Sequence, residues 1–205
     1  MVKIFADCAD LQSIEWAQAQ PVVKGITTNP SLMKKAGITR YRDFARTVLE
    51  ITDKPVSFEV LADSAPIMAS QAREIASWSE NIYVKIPIIN SQGESMTRLI
   101  YELAQDKIKL NVTAILTIEQ VKLAARTLAA WTPSIVSIFA GRIADTGVDP
   151  SNHFHAGMVA KHANCELLWA STREPYNYRQ AALYGANIIT MTPDLIRKMD
   201  LFGRD

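Results

Sequence analysis

One short stretch indicates the fold class of this chain: residues 81–88 read Asn-Ile-Tyr-Val-Lys-Ile-Pro-Ile. Its β-branched and apolar residues predict a β-strand that is buried on both faces, with Lys85 as an isolated charge within it. Strands of this kind are typical of parallel sheets covered by helices. The stretch therefore predicts an α/β protein.

The rest of the chain repeats this pattern, because short apolar runs alternate with longer segments of helical spacing. Strands are predicted at residues 2–7, 22–27, 56–60, 82–86, 108–113, 135–139, 166–170 and 188–191. Helices are predicted at 11–20, 41–51, 65–79, 95–105, 118–129, 153–161 and 176–184, with a short one after Pro193. Helix-start signals support this division, at Asp10, at Asn29 with Pro30, and at Thr117 with Gln120.

The number of units predicts a barrel. Eight strand-then-helix units in 205 residues average about 26 residues each, near the lower size limit of a (β/α)8 barrel. We therefore predict that residues 1–205 form a single-domain (β/α)8 TIM barrel. A doubly wound open sheet is the alternative, but the first turn, residues 6–10, has no glycine and cannot be a dinucleotide loop.

The composition argues against several classes of protein. Lys and Arg number 22 against 21 Asp and Glu, and no basic cluster indicates a nucleic-acid partner. No apolar run approaches the roughly 18 residues of a transmembrane helix, so no membrane partner is expected. Residues 1–7 read as a strand rather than a signal peptide, which predicts a cytoplasmic protein. The spacings of Cys8, Cys165, His153 and His155 predict neither a disulfide nor a metal site.

Polar residues stand at or just after the end of every predicted strand. In a (β/α)8 barrel these ends converge on one mouth, where catalysis takes place. The residues are Asp7, Asn29, Glu59, Lys85, Asn111 with Thr113, Ser137 with Arg142, Ser171 with Arg173, and Thr192. They are the candidate site residues.

Lys85 is the candidate nucleophile. Burial disfavours the protonated form of an amine, and a neutral amine can attack a carbonyl carbon to form a Schiff base. Asp7 and Glu59, on strands one and three, could divide the acid and base roles. The structural alternatives are an ion pair of Lys85 with either carboxylate and capping of the first helix by Asp7.

Other candidates would bind the substrate. Asn111 and Thr113 are two residues apart, so both face the same side of a strand and can hydrogen-bond a hydroxyl or a water. Arg142 and Arg173 follow strands six and seven, where such barrels commonly bind phosphate, and Ser171 adds a hydroxyl. The two arginines indicate a sugar phosphate. Packing, turn and surface-charge roles are the structural alternatives.

Several motifs resemble those of the transaldolase family. They are Phe-Ala-Asp-Cys-Ala-Asp (5–10), Gly-Ile-Thr-Thr-Asn-Pro-Ser-Leu (25–32), Val-Ser-Phe-Glu-Val (56–60), Val-Lys-Ile-Pro (84–87), Asn-Val-Thr (111–113), Ser-Ile-Phe-Ala-Gly-Arg (137–142) and Ala-Ser-Thr-Arg (170–173). The resemblance extends from Ile4 to Thr192 and is greatest to the small-subunit branch, which includes the fructose-6-phosphate aldolases. It implies a barrel of the class I aldolase type that works through a Schiff base.

The resemblance also implies a role for each candidate residue. Lys85 would form the Schiff base with a ketose phosphate, and Asp7 would take the proton from its C4 hydroxyl. Glu59 would move protons through a water held by Thr113. The retained three-carbon fragment would be held by Asn29, Asn111 and Ser137, and the phosphate by Arg142, Ser171 and Arg173. Neither a metal nor an organic cofactor is required.

Two positions separate the branches of this family. Fructose-6-phosphate aldolases typically carry Gln and Tyr where this chain has Glu59 and Phe139, so the resemblance favours a transaldolase of the non-oxidative pentose phosphate pathway. A fructose-6-phosphate aldolase and a barrel that binds sugar phosphates without turnover are the alternatives. Cys8 and Ile138 depart from the Thr and Pro that are usual in the family. A ring-shaped homo-oligomer is implied but left open, because the chain ends soon after Thr192 and the family's tails pack on neighbouring subunits.

Overall fold

The strands of this protein close into a barrel in the computed structural model, which describes residues 1–204. All eight run parallel in chain order, and β8 pairs with β1 to complete the ring. They are β1 (Lys3–Asp7), β2 (Val23–Thr27), β3 (Val56–Glu59), β4 (Ile82–Pro87), β5 (Leu110–Ile115), β6 (Ser134–Ile138), β7 (Cys165–Trp169) and β8 (Ile188–Met191). The predicted (β/α)8 TIM barrel is confirmed.

Helices surround the barrel. They are α1 (Leu11–Ala19), α2 (Pro30–Lys35), α3 (Tyr41–Ile51), α4 (Ala65–Ala76), α5 (Thr97–Gln105), α6 (Ile118–Thr127), α7 (Ala140–Asp145), α8 (Ser151–Ala160), α9 (Asn177–Leu183) and α10 (Pro193–Lys198), followed by a 3₁₀ turn at Met199–Leu201. Among residues 1–204, no helix has the length and apolar character needed to cross a bilayer.

The predicted helix starts are capped as their residue types indicate. The Asp10 carboxylate accepts a hydrogen bond from the backbone amide of Ser13, and the Asn29 side chain accepts one from Leu32. At α6, Thr117 forms a capping box with its partner three residues later. Each cap satisfies a backbone N–H that has no partner within the helix. The helices therefore begin where the strand-to-helix turns end.

An apolar layer fills the barrel interior below its mouth. Phe5, Ile135, Leu168 and Ile188 belong to a small cluster that is separate from the main core between barrel and helices. A Cβ at Gly25 would lie 2.6 Å from the Phe5 ring, so the glycine makes room for that ring inside the barrel. Because side chains alternate along a strand, residues two positions later face the same interior nearer the mouth.

The structure corrects two strand boundaries, adds helix α7, and shows a short helix, α2, after the start predicted at Asn29 with Pro30. The strand predicted at 108–113 is displaced by two residues in the structure, where it is β5 (Leu110–Ile115). Ile108 lies before it, because its amide donates to the Leu103 carbonyl and closes the end of α5. The strand predicted at 135–139 ends one residue earlier, at Ile138, because Phe139 is the N-cap of α7, a helix that the sequence did not predict. Helices α2 and α7 have six residues each, too few to show a helical period. Other predicted boundaries agree to within a few residues.

Candidate active site

A cavity of about 510 Å³ opens at the carboxyl ends of the strands. This volume is within the range of small-molecule sites. Its lining includes every residue that the sequence predicted for catalysis or substrate binding, namely Asp7, Asn29, Glu59, Lys85, Asn111, Thr113, Ser137, Phe139, Arg142, Ser171 and Arg173. The fold thus brings all of these residues together.

Strand register explains the arrangement of the central residues. Glu59 is the partner of Lys85 across β3 and β4, and Lys85 is the partner of Asn111 across β4 and β5. Three neighbouring strands therefore present a carboxylate, an amine and an amide at one level of the barrel. Each of them can reach the same small substrate.

Lys85 is buried, with 7% of its surface exposed. Its Nζ lies 3.0 Å from Glu59 Oε2 and donates to the Thr28 backbone carbonyl at 2.8 Å. The ion pair considered as a structural alternative is therefore present. It is compatible with nucleophilic chemistry, since a carboxylate in contact with the ammonium can accept the proton that the amine must lose before it attacks.

Asp7 lies in the same cavity at the end of β1. Its Oδ1 accepts hydrogen bonds from Thr27 Oγ1 at 2.8 Å and from Asn29 Nδ2 at 3.5 Å. Burial raises the pKa of this carboxyl, while the Lys85 ammonium and the two hydrogen bonds oppose the rise. Because Asp10 caps α1, the capping alternative for Asp7 is wrong. A carboxyl with a raised pKa is suited to accept and return a proton.

Replacing Asp7 by asparagine is expected to stabilise the fold at neutral pH. Because the pKa of Asp7 is raised above 3.8, the folded state binds its proton more tightly than the unfolded chain. The free energy of unfolding therefore falls as pH rises from 3.8 through the folded-state pKa, and Asp7→Asn removes that loss. Melting temperatures of the wild type and Asp7→Asn should be measured from about pH 3 to about pH 8, and the variant should melt increasingly above the wild type as pH rises. A variant that melts below the wild type at neutral pH would contradict this.

A buried chain of hydrogen bonds orients Asn111. Its Nδ2 donates to Ser57 Oγ at 3.1 Å, and its Oδ1 accepts from Ser137 Oγ at 2.6 Å. The sequence analysis missed Ser57, although its place two residues before Glu59 on one strand was a usable signal. Within residues 1–204, Thr113 Oγ1 is buried without a hydrogen-bond partner. This hydroxyl is therefore available to a water or a substrate oxygen in the cavity.

Two arginines line the cavity on its β6 and β7 side. Arg142 stacks over Phe139, with 4.9 Å from the guanidinium carbon to the ring centroid. Arg173 forms a two-point ion pair with Asp145, a partner that the sequence analysis missed. Both guanidinium groups are thereby held in place at the mouth. Paired guanidinium groups are suited to a phosphate dianion.

The segments that carry the arginines approach each other closely. Ser171 has a positive φ of 64°, which turns the chain after β7 back towards α7. A Cβ at Gly141 would lie 1.7 Å from the Ser171 carbonyl oxygen. Glycine is therefore required for this contact between the two segments.

Other reactive side chains lie outside this cavity or are unreactive. Burial raises the pKa of the Cys8 thiol to about 12, so it stays protonated near neutral pH. His153 is buried in α8, outside the cavity lining. Among the described residues 1–204, no three His, Cys, Asp or Glu side chains are grouped to hold a metal ion.

Comparison with known proteins agrees with this geometry. Residues 4–205 match the family model described as Transaldolase/Fructose-6-phosphate aldolase. A "Probable transaldolase" of Herpetosiphon aurantiacus is 36% identical, over 97% of this chain and 87% of that protein. Proteins of the same name from Thermoanaerobacter sp. and Methanococcus maripaludis are each 37% identical, over 97% of this chain and 89% of theirs.

A solved structure gives independent support for the fold alone. The protein described as "Crystal structure of a putative phosphonomutase from Burkholderia cenocepacia J2315" superposes with a TM-score of 0.66 at 16% identity, over 97% of this chain and 90% of that one. The family follows from the sequence match, which extends over nearly the whole chain and all the strands that line the cavity. The chain belongs to the transaldolase/fructose-6-phosphate aldolase family.

Proposed function

We propose that this protein is a transaldolase that moves a dihydroxyacetone unit between sugar phosphates through a Schiff base on Lys85. The reaction converts sedoheptulose 7-phosphate and glyceraldehyde 3-phosphate into erythrose 4-phosphate and fructose 6-phosphate, in the cytoplasmic pentose phosphate pathway. The observation that carries the proposal is a buried lysine in contact with Glu59, in a cavity that also holds Asp7.

The first half of the reaction forms the covalent intermediate. The Lys85 amine attacks the ketose carbonyl carbon C2, and the resulting carbinolamine loses water to give a protonated Schiff base. Glu59, 3.0 Å from the amine, accepts and returns the protons of these steps. Thr113 supports this role, because its unpaired hydroxyl can hold the water that links Glu59 to the carbinolamine.

The second half exchanges the aldehydes. Asp7 takes the proton of the C4 hydroxyl as the bond between C3 and C4 breaks, and the electron pair moves into an enamine on Lys85. The released aldose phosphate is replaced by another, whose aldehyde carbon the enamine attacks. Asp7 returns its proton to the new hydroxyl, and hydrolysis of the Schiff base releases the new ketose phosphate.

The polar lining of the cavity supports a phosphorylated sugar as the substrate. The oriented amide of Asn111, with Ser137 and Asn29, can hydrogen-bond the hydroxyls of the retained three-carbon unit. Arg142 and Arg173, which follow β6 and β7, add two guanidinium groups at the mouth, and Asp145 holds that of Arg173 in place. A substrate with a phosphate at one end and a ketone at the other would contact both groups.

Phe139 favours the transferase over the alternative lyase, the fructose-6-phosphate aldolase. Its ring lines the cavity and carries no hydroxyl that could help water release the dihydroxyacetone unit. Phe139→Tyr is therefore expected to increase the release of free dihydroxyacetone from fructose 6-phosphate several-fold, measured without an acceptor. Phe139→Leu is the control for a general disturbance of the site, since it removes the ring beneath Arg142 and adds no hydroxyl. No increase in Phe139→Tyr would count against this role.

The decisive assay follows glyceraldehyde 3-phosphate released from fructose 6-phosphate, with and without erythrose 4-phosphate. Release that requires the acceptor is the expected result for a transaldolase. Release without it, together with free dihydroxyacetone, would identify an aldolase. Absence of release under both conditions, with substrate still bound, would favour a binding protein.

A further inference from the structure

Two threonine hydroxyls connect β8 to Asp7 where the barrel closes. Thr27 Oγ1 donates to Asp7 Oδ1 at 2.8 Å, and Thr27 Oγ1 lies 2.5 Å from Thr190 Oγ1. Both threonines are nearly buried, with 3% and 6% of their surfaces exposed. They also line the cavity. Neither was among the site residues that the sequence predicted.

The protons in this chain can be assigned from the chemistry of the groups. An ionised carboxylate accepts hydrogen bonds but cannot donate, so the single hydroxyl proton of Thr27 points to Asp7. The short contact between the threonines then requires Thr190 to donate to Thr27. The chain of donation therefore runs from Thr190 through Thr27 to Asp7, and each hydrogen bond polarises the next.

We propose that Thr190 is a positioning residue that acts through Thr27 to orient the Asp7 carboxylate and stabilise its ionised form. The inference rests on the proposed function, in which ionised Asp7 accepts the proton of the substrate C4 hydroxyl. Thr190 itself is held in place, because Thr172 donates its hydroxyl to the Thr190 backbone carbonyl at 2.7 Å. The β8 strand thus contributes to proton transfer without a titratable group of its own at this position.

The charged neighbours of Asp7 are unchanged by a substitution at Thr190. They are Lys85 on β4, which favours the carboxylate, and Glu59 on β3, which disfavours it. Cys8 follows Asp7 directly and stays protonated, since burial raises its pKa to about 12. If loss of the Thr190 hydroxyl changes the titration of Asp7, the change must come from the hydrogen bonds that link Thr190 through Thr27 to Asp7.

The test compares Thr190→Val with Thr190→Ser. Valine keeps the shape of threonine without the hydroxyl, whereas serine keeps the hydroxyl. Thr190→Val is expected to raise the proton affinity of the Asp7 carboxylate about threefold and to lower kcat about tenfold with little change in KM. The acid limb of its kcat pH profile should move to higher pH by the amount that corresponds to this threefold change in proton affinity. Thr190→Ser should retain the wild-type profile.

A readout that does not need turnover separates this inference from the proposed function. The Asp7 carboxyl can be titrated by ¹³C NMR in protein labelled at aspartate, with Asp7→Asn to assign the signal. A wild-type titration curve in Thr190→Val, or an altered one in Thr190→Ser, would overturn the inference. If the wild type turns over no sugar phosphate, the proposed function fails, but the NMR titration still decides whether Thr190 acts on Asp7.

Discussion

Lys85→Met is expected to lower kcat/KM for the transfer reaction by at least about 10⁴-fold and to abolish covalent trapping of the ketose. Methionine fills nearly the same volume but has no amine to attack the carbonyl carbon. Borohydride reduction of the protein with fructose 6-phosphate, followed by mass spectrometry, should show an adduct on the wild type. The variant should bind the sugar phosphate and remain unmodified.

Lys3→Met is the matched control for this prediction. Lys3 begins β1 at the opposite end of the barrel, where it pairs with Glu166 on the surface. Surface ion pairs contribute little to stability, so Lys3→Met should trap the ketose as the wild type does. An adduct that persists in Lys85→Met would show that another amine is the nucleophile. Loss of the adduct in both variants would point to a general effect of removing a lysine.

Gly141→Ala is expected to raise KM for fructose 6-phosphate at least about tenfold and to destabilise the fold by about 1–3 kcal/mol. The added methyl group would meet the Ser171 carbonyl oxygen at 1.7 Å, and this oxygen is backbone that cannot rotate away. Helix α7 and the turn after β7 must therefore separate, and with them Arg142 and Arg173. KM for unphosphorylated fructose should change much less, since the substitution alters the proposed phosphate site.

Gly157→Ala provides the control for destabilisation alone. Its added methyl group would lie 2.9 Å from Leu167 side-chain atoms, which pack between α8 and the barrel away from the cavity. Its melting temperature is expected to fall while KM for fructose 6-phosphate stays unchanged. Gly141→Ala with an unaltered KM would show that the close approach does not position the arginines.

The identity of the candidate site residues was predictable because both the barrel and its polar residues follow local rules. Alternation of side chains along each strand and the convergence of parallel strands at one mouth placed Lys85 with Asp7 and Glu59 before any contact was known. The same rules put Ser57 and Thr190 on the inner face of their strands but could not show what either residue contacts. Their importance arises from hydrogen bonds to residues far away in the chain, on strands that become neighbours when the barrel forms.

Short helices and close contacts between segments distant in the chain also could not be predicted from local sequence patterns. Helix α7 has six residues, and its N-cap, Phe139, is the last residue of a run that reads as a strand. The partner of Arg173 is Asp145, which lies 28 residues earlier in the chain. Gly141 has no special local conformation, and the reason for glycine there is the Ser171 carbonyl oxygen, in the turn after β7, which approaches helix α7.

Local sequence patterns are sufficient to predict the fold class, the number of strands and the side chains that line the mouth, because apolar periodicity and strand-end polarity act over a few neighbouring residues. The tertiary structure decided the hydrogen-bond partners of those side chains, which of them are buried, and how closely the arginine-bearing segments approach. These properties depend on strand register and on distances between segments that are remote in sequence. Closure of the barrel, in which β8 pairs with β1, fixes the strand register and these distances.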